Sequence, residues 1–136
     1  MSISVTDSLA HLEAAVANGR LGRACEEYGV ELVTLFGSAH HGTDPHDVDM
    51  AVGFRHGIER DLLGVVGALA EFVPGDHLDV MDLDRAGPVA RVEALVAARV
   101  LYEADAEVFN RREMQALGEY LDTAYLRESL IRELAR

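Results

Sequence analysis

Leu35-Phe36-Gly37-Ser38-Ala39-His40-His41-Gly42-Thr43-Asp44-Pro45-His46-Asp47-Val48-Asp49 is the stretch on which the reading of this chain turns. It follows a β-rich run that starts at Val30, and Gly37-Ser38 ends that run. After a polar loop, Asp47 to Phe54 alternates with period two. Val48, Met50, Val52 and Phe54 are predicted to face a core, and Asp47 and Asp49 to project from the opposite face. At that spacing the two Cβ atoms stand roughly 6.5–7 Å apart. Such a pair can hold a hard, oxygen-seeking cation without closing a cage, which leaves positions for phosphate oxygens. A glycine after a strand lets backbone approach a phosphate closely, and Ser38 and the amides that follow add donors. Taken singly, two acids on a strand's polar edge and an ordinary Gly-Ser turn explain the same residues. Their combination points to metal-assisted phosphoryl or nucleotidyl transfer.

Working outward, residues 6–19 have apolar residues at helical spacing, with Thr6 or Asp7 as cap and Asn18-Gly19 as the stop. A second helix is predicted from Leu21 to Tyr28, closed by Gly29. Residues 59–72 form a third, with Leu62, Leu63, Val66, Leu69 and Phe72 as its apolar stripe. Pro74-Gly75-Asp76 then turns the chain into a strand from Leu78 to Leu83. Asp79 sits in that strand where an apolar residue would pack better. A buried carboxylate there is costly unless a cation or hydrogen bonds offset it, and three acids together repel one another. Asp82 and Asp84 are weaker candidates for the third position. A helix from Pro88 to Tyr102 is predicted next. The last thirty residues are helical, with Leu117, Leu121, Ala124, Leu130, Ile131 and Leu134 along an apolar face.

This order predicts an α+β (or α/β) fold, a short mixed sheet packed on helices. Residues 1–136 are expected to form one domain, with N-terminal helices over 6–28, a sheet core over 30–83 and C-terminal helices over 88–134. Those last helices either pack on the sheet or offer a docking surface. Twelve arginines and no lysine face 24 acidic residues, for a net charge of -12. Such a surface repels phosphate backbones and anionic lipids, so neither a nucleic acid nor a membrane is an expected partner. A small substrate whose phosphates arrive with metal ions, or a basic protein, suits it better. Cys25 is the single cysteine, which excludes an intrachain disulfide and suits a reducing compartment. No apolar run reaches membrane-spanning length and the first residues lack a leader pattern, so a cytoplasmic location is expected.

The quoted stretch resembles the Gly-Ser…Asp-x-Asp signature of the DNA polymerase β-like nucleotidyltransferase superfamily. More narrowly, the chain is similar to the small MNT-type proteins that act as antitoxins beside HEPN-domain toxins. His77 to Leu83 resembles the family's third-carboxylate strand, Pro88 to Glu103 the helix after it, and Tyr120 to Glu128 the C-terminal helix. The resemblance implies that Gly37 and Ser38 hold the triphosphate of ATP. It implies that Asp47, Asp49 and Asp79 bind Mg²⁺, with Asp79 also helping to deprotonate the attacking hydroxyl. The implied reaction is transfer of AMP to a tyrosine of a HEPN-domain toxin.

Where the family reads Gly-Ser-x-Ala-Arg-Gly, His40 and His41 replace Ala-Arg, which removes a fixed positive charge. A serine often found before the first aspartate is His46 here, and the loop is shorter than usual. A transition-metal site of His40, His41, His46 and Asp47 is a second reading of that loop, against the simpler one of solvated histidines. Two other functions stand beside AMP transfer. One is an antitoxin that neutralises its partner by binding alone, and the other a nucleotidyltransferase acting on a small cation such as an aminoglycoside.

Overall fold

The computed structural model describes residues 3–42 and 44–136, and within that range the side chain of His41 lies outside the described part. Two helices come first, α1 (Val5–Ala17) and α2 (Arg20–Tyr28), followed by strand β1 (Val30–Phe36). A single turn, α3 (Ser38–His41), leads to β2 (Val48–Phe54), α4 (Leu62–Phe72) and β3 (Leu78–Asp82). The chain ends with α5 (Pro88–Leu95), β4 (Arg99–Glu103), α6 (Val108–Asp122) and α7 (Ala124–Leu134). The sheet order is β3-β2-β1-β4; β2 lies antiparallel to β1 and parallel to β3, so the sheet is mixed as expected.

Period-two alternation places each strand residue. Val48, Met50, Val52 and Phe54 are at most 2% exposed and pack with Leu12, Leu21, Cys25 and Leu69 from α1, α2 and α4. The other face of the same strands carries Leu32 and Ala51, which meet Ala94 and Leu95 of α5 and Val108 and Ala116 of α6. Helices thus cover both faces of the sheet. Cys25 is a buried core residue, and burial pushes its thiol up to about 12, so it stays an inert hydrophobe.

Three local expectations change. The cap of α1 is Ser4, whose side chain accepts the Asp7 N–H, rather than Thr6 or Asp7. In α4 the core-facing stripe runs through Val65, and Leu63 is 87% exposed. The helix expected from Pro88 to Tyr102 stops at Leu95. Ala97 takes a positive φ of 59°, Ala98 N–H closes a turn on Leu95 O, and residues 99–103 pair with β1 as a strand. The apolar face of α7 is uncovered: Tyr125, Leu126, Leu130, Ile131 and Leu134 are 53–79% exposed. Among the described residues no helix is long and apolar enough to cross a membrane.

Candidate active site

The site begins where β1 leaves the sheet. Gly37 adopts φ 70° and ψ −151°, a region essentially restricted to glycine. There is a second reason for glycine. A Cβ built on Gly37 would stand 2.5 Å from Oδ2 of Asp49, so the missing side chain leaves room for that carboxylate. Ser38 opens the single turn of α3, with its carbonyl accepting the Gly42 N–H at 2.8 Å. Its hydroxyl accepts the His46 N–H at 3.2 Å, which fastens the returning loop one residue before Asp47. That hydroxyl keeps its own proton available for a phosphate oxygen.

Parallel pairing brings the third acid in. Val48 N–H donates to His77 O at 2.9 Å, and this bond sets the register in which Asp49 lies opposite Asp79. Neighbouring strands are about 4.8 Å apart, so the two carboxylates stand side by side on one face. That face is the one bearing Ala51 and Met81, which pack under α5 and α6, while Asp49 and Asp79 occupy its rim. Asp47 precedes the strand by one residue and is exposed. Burial, then the neighbouring Asp79 and Asp47 charges, raise the proton affinity of Asp49 above the usual carboxylate range. Asp79 and Asp47 thus both act on Asp49, and no described ion pair offsets its charge.

Asp79 differs from its expected setting. It is exposed, because β3 is an edge strand whose rim opens to solvent, and the desolvation argued for Asp79 falls on Asp49 instead. The alternatives Asp82 and Asp84 are committed elsewhere: Asp82 pairs with Arg60, while Asp84 accepts the Phe54 N–H and pairs with Arg112. Among the described residues no group of three or more His, Cys, Asp or Glu side chains is drawn together closely enough to hold a metal ion by itself. Mg²⁺ does not require a closed cage of protein ligands. The ion characteristically uses one or two carboxylates, several waters and the phosphates of its substrate. Hard carboxylate oxygens beside a glycine-cleared turn form a suitable donor set for it.

The histidines fall into separate places. His40 Nε2 bonds Ala97 O at 2.9 Å and so links α3 to the connection between α5 and β4, while His46 is exposed. Nothing in the sequence marks that tie, since Ala97 has none of the glycine or proline punctuation that signals a break. The close fit of Gly37 against Asp49 was also missed, although a glycine directly after a strand was its signal.

A family model described as Polymerase beta, Nucleotidyltransferase matches residues 20–107, a span that includes β1, β2 and β3 with all three acids. The chain belongs to this nucleotidyltransferase family. No curated protein matches it by sequence. Its nucleotidyltransferase fold is shared with solved toxin–antitoxin structures. One is a crystal structure of the MntA–HpeT pair carrying two aspartate-to-glutamate substitutions, with a TM-score of 0.69 at 16% identity over 87% of this chain and 98% of that one. Another is a toxin–antitoxin structure with AMP-PNP, with a TM-score of 0.69 at 18% identity and the same shares covered. A third is the tri-AMPylated Shewanella oneidensis HEPN toxin in complex with MNT antitoxin, with a TM-score of 0.68 at 16% identity over 92% of this chain and 99% of that one.

Proposed function

We propose that this nucleotidyltransferase is the antitoxin of a toxin–antitoxin pair, transferring AMP from ATP to a tyrosine hydroxyl of a HEPN-domain partner in the cytoplasm. The observation that carries this reading is the Asp49–Asp79 register beside Gly37, with Asp47 one residue ahead of the strand. Membership of the nucleotidyltransferase family supports it, as does a shared fold with a complex whose toxin is AMPylated.

In this mechanism the Gly37-Ser38 turn receives the triphosphate, with backbone close to the phosphates and the Ser38 hydroxyl donating to one oxygen. Asp47, Asp49 and Asp79 would hold Mg²⁺, which when bound supplies charge neutralisation to the phosphates. The partner's tyrosine oxygen attacks the α-phosphorus, and its proton passes to Asp79, which is exposed and reachable from outside. The bond between the α-phosphorus and the bridging oxygen to the β-phosphate breaks, and pyrophosphate leaves with that electron pair. Asp49, whose charge is disfavoured first by burial and then by Asp79 and Asp47, is a carboxylate that a bound cation would relieve.

The test is incubation with labelled ATP, Mg²⁺ and the HEPN-type protein encoded beside it, using wild type and Asp47→Asn. Label on the partner that disappears in the variant is the expected result. Neutralisation of an unlabelled partner would sink the enzymatic reading. A binding-only antitoxin is then the alternative, and two observations favour it: His40 and His41 stand where the family has Ala-Arg, and α7 exposes its apolar residues.

A further inference from the structure

Beyond Phe54, at the other end of β2, lies a cleft of about 460 Å³ that contains none of the three carboxylates. Its walls hold four of the chain's twelve arginines, Arg55, Arg60, Arg111 and Arg112, against two acids, Glu31 and Asp84. In a chain with a net charge of -12 this is a local reversal of sign.

Arg112 is the floor of the cleft. Its Nε donates to Glu31 at 2.8 Å, its two terminal nitrogens to Asp84 at 3.0 Å and to Phe54 O at 2.8 Å, and its side chain is 15% exposed. Glu31 and Asp84 are therefore engaged in holding α6 and the Asp84 turn against the sheet. The other three arginines keep donors in reserve. Arg111 touches Glu31 through one nitrogen at 3.1 Å with its side chain 59% exposed, and Arg60 touches Asp82 through one nitrogen at 3.4 Å. Arg55 is exposed and lies close enough to Tyr102 to act on its hydroxyl. A guanidinium carries five N–H donors in a fixed fork, so most of them remain for a ligand in each case.

We propose that this cleft binds a small phosphate-bearing anion of the di- or polyphosphate class, separately from the carboxylate site. Guanidinium forks match phosphate oxygens in pairs, and the volume is that of a small-molecule site. An acidic peptide is disfavoured because the only exposed large apolar side chain in the lining is Ile58, too little to anchor a chain. Seven residues of β2 separate the two ends, about 20 Å, so both sites can be filled together. The proposal does not depend on the transferase reading.

The experiment is calorimetric titration of the full chain with inorganic pyrophosphate, in chelator and without divalent ions. Wild type and an Asp47→Asn, Asp49→Asn double variant are expected to bind one pyrophosphate with equal affinity. Arg55→Ala with Arg111→Ala is expected to weaken binding at least about tenfold. Both side chains are exposed, which keeps the fold intact, and Arg60→Ala alone serves as the second variant, also expected to bind more weakly. The proposal is overturned if pyrophosphate does not bind, or if the arginine variants keep wild-type affinity. It is equally overturned if a hexaglutamate peptide binds more tightly than pyrophosphate at the same ionic strength.

Discussion

Strand β2 has acids gathered at its first residues and arginines around its last, and the two ends treat charge in opposite ways. At the arginine end, burial works against the Arg112 charge, yet the bonds to Glu31 and Asp84 outweigh it and hold its proton more tightly. Each of the three Arg112 nitrogens donates to an acceptor there. At the acid end no described cationic side chain pairs with Asp49, and burial with Asp79 and Asp47 makes its charge harder to keep. A fold that pairs its ions carefully at one end of a strand could pair them at the other. An acid left without such a partner is what a site that takes its counter-charge from a ligand would show.

The largest expected effect breaks the comparison at the acid end. Asp49→Asn should lower AMP transfer at least about a hundredfold, since even changes in the shell around metal ligands cost up to that much. A transfer assay with labelled ATP checks it, and a variant with near-normal transfer would remove Asp49 from the reaction. At the arginine end, Arg112→Ala should destabilise the protein by about 3 kcal/mol, because Glu31 and Asp84 lose the charge they pack against. Urea unfolding measures this; a loss within error would mean the network is ornamental. Gly37→Ala should cost about 2 kcal/mol from its backbone region, and its Cβ should also displace the Asp49 carboxylate. Transfer must therefore fall with it even where the variant is fully folded.

The smallest effect is the most discriminating. A carboxyl whose proton affinity is higher in the folded state stabilises that state below its ordinary pKa of 3.8. The contribution is lost as pH rises through the elevated folded value. The metal-free protein should thus lose stability across that interval, and Asp49→Asn should flatten the loss and slightly raise Tm at neutral pH. Thermal melts in chelator across acidic pH test this. A lower Tm for the variant would show that Asp49 is held by its surroundings rather than strained by them.

Much of this contrast was legible beforehand, for physical reasons. Alternation from Val48 to Phe54 left one register in which the apolar set is buried, so the aspartates had one face to occupy. The exposure of Asp79 was hidden because edge position is a property of the whole sheet. Strand β4 was hidden as well. Val92, Leu95, Val96 and Val100 continue a helical spacing, and the break at Ala97 comes without glycine or proline. The arginine cleft was invisible for a third reason: Arg55, Arg60, Arg111 and Arg112 come from distant segments, and only folding brings them into one wall.

Helix α7 has one further consequence. It contributes no buried residue to the core, and among its substantial neighbours it packs on α6 alone. A helix held so lightly is expected to open more often than the sheet, and opened backbone is what a protease cuts. Limited digestion is therefore expected to cut α7 before the sheet, and a partner seated on its exposed apolar residues is expected to slow that cut.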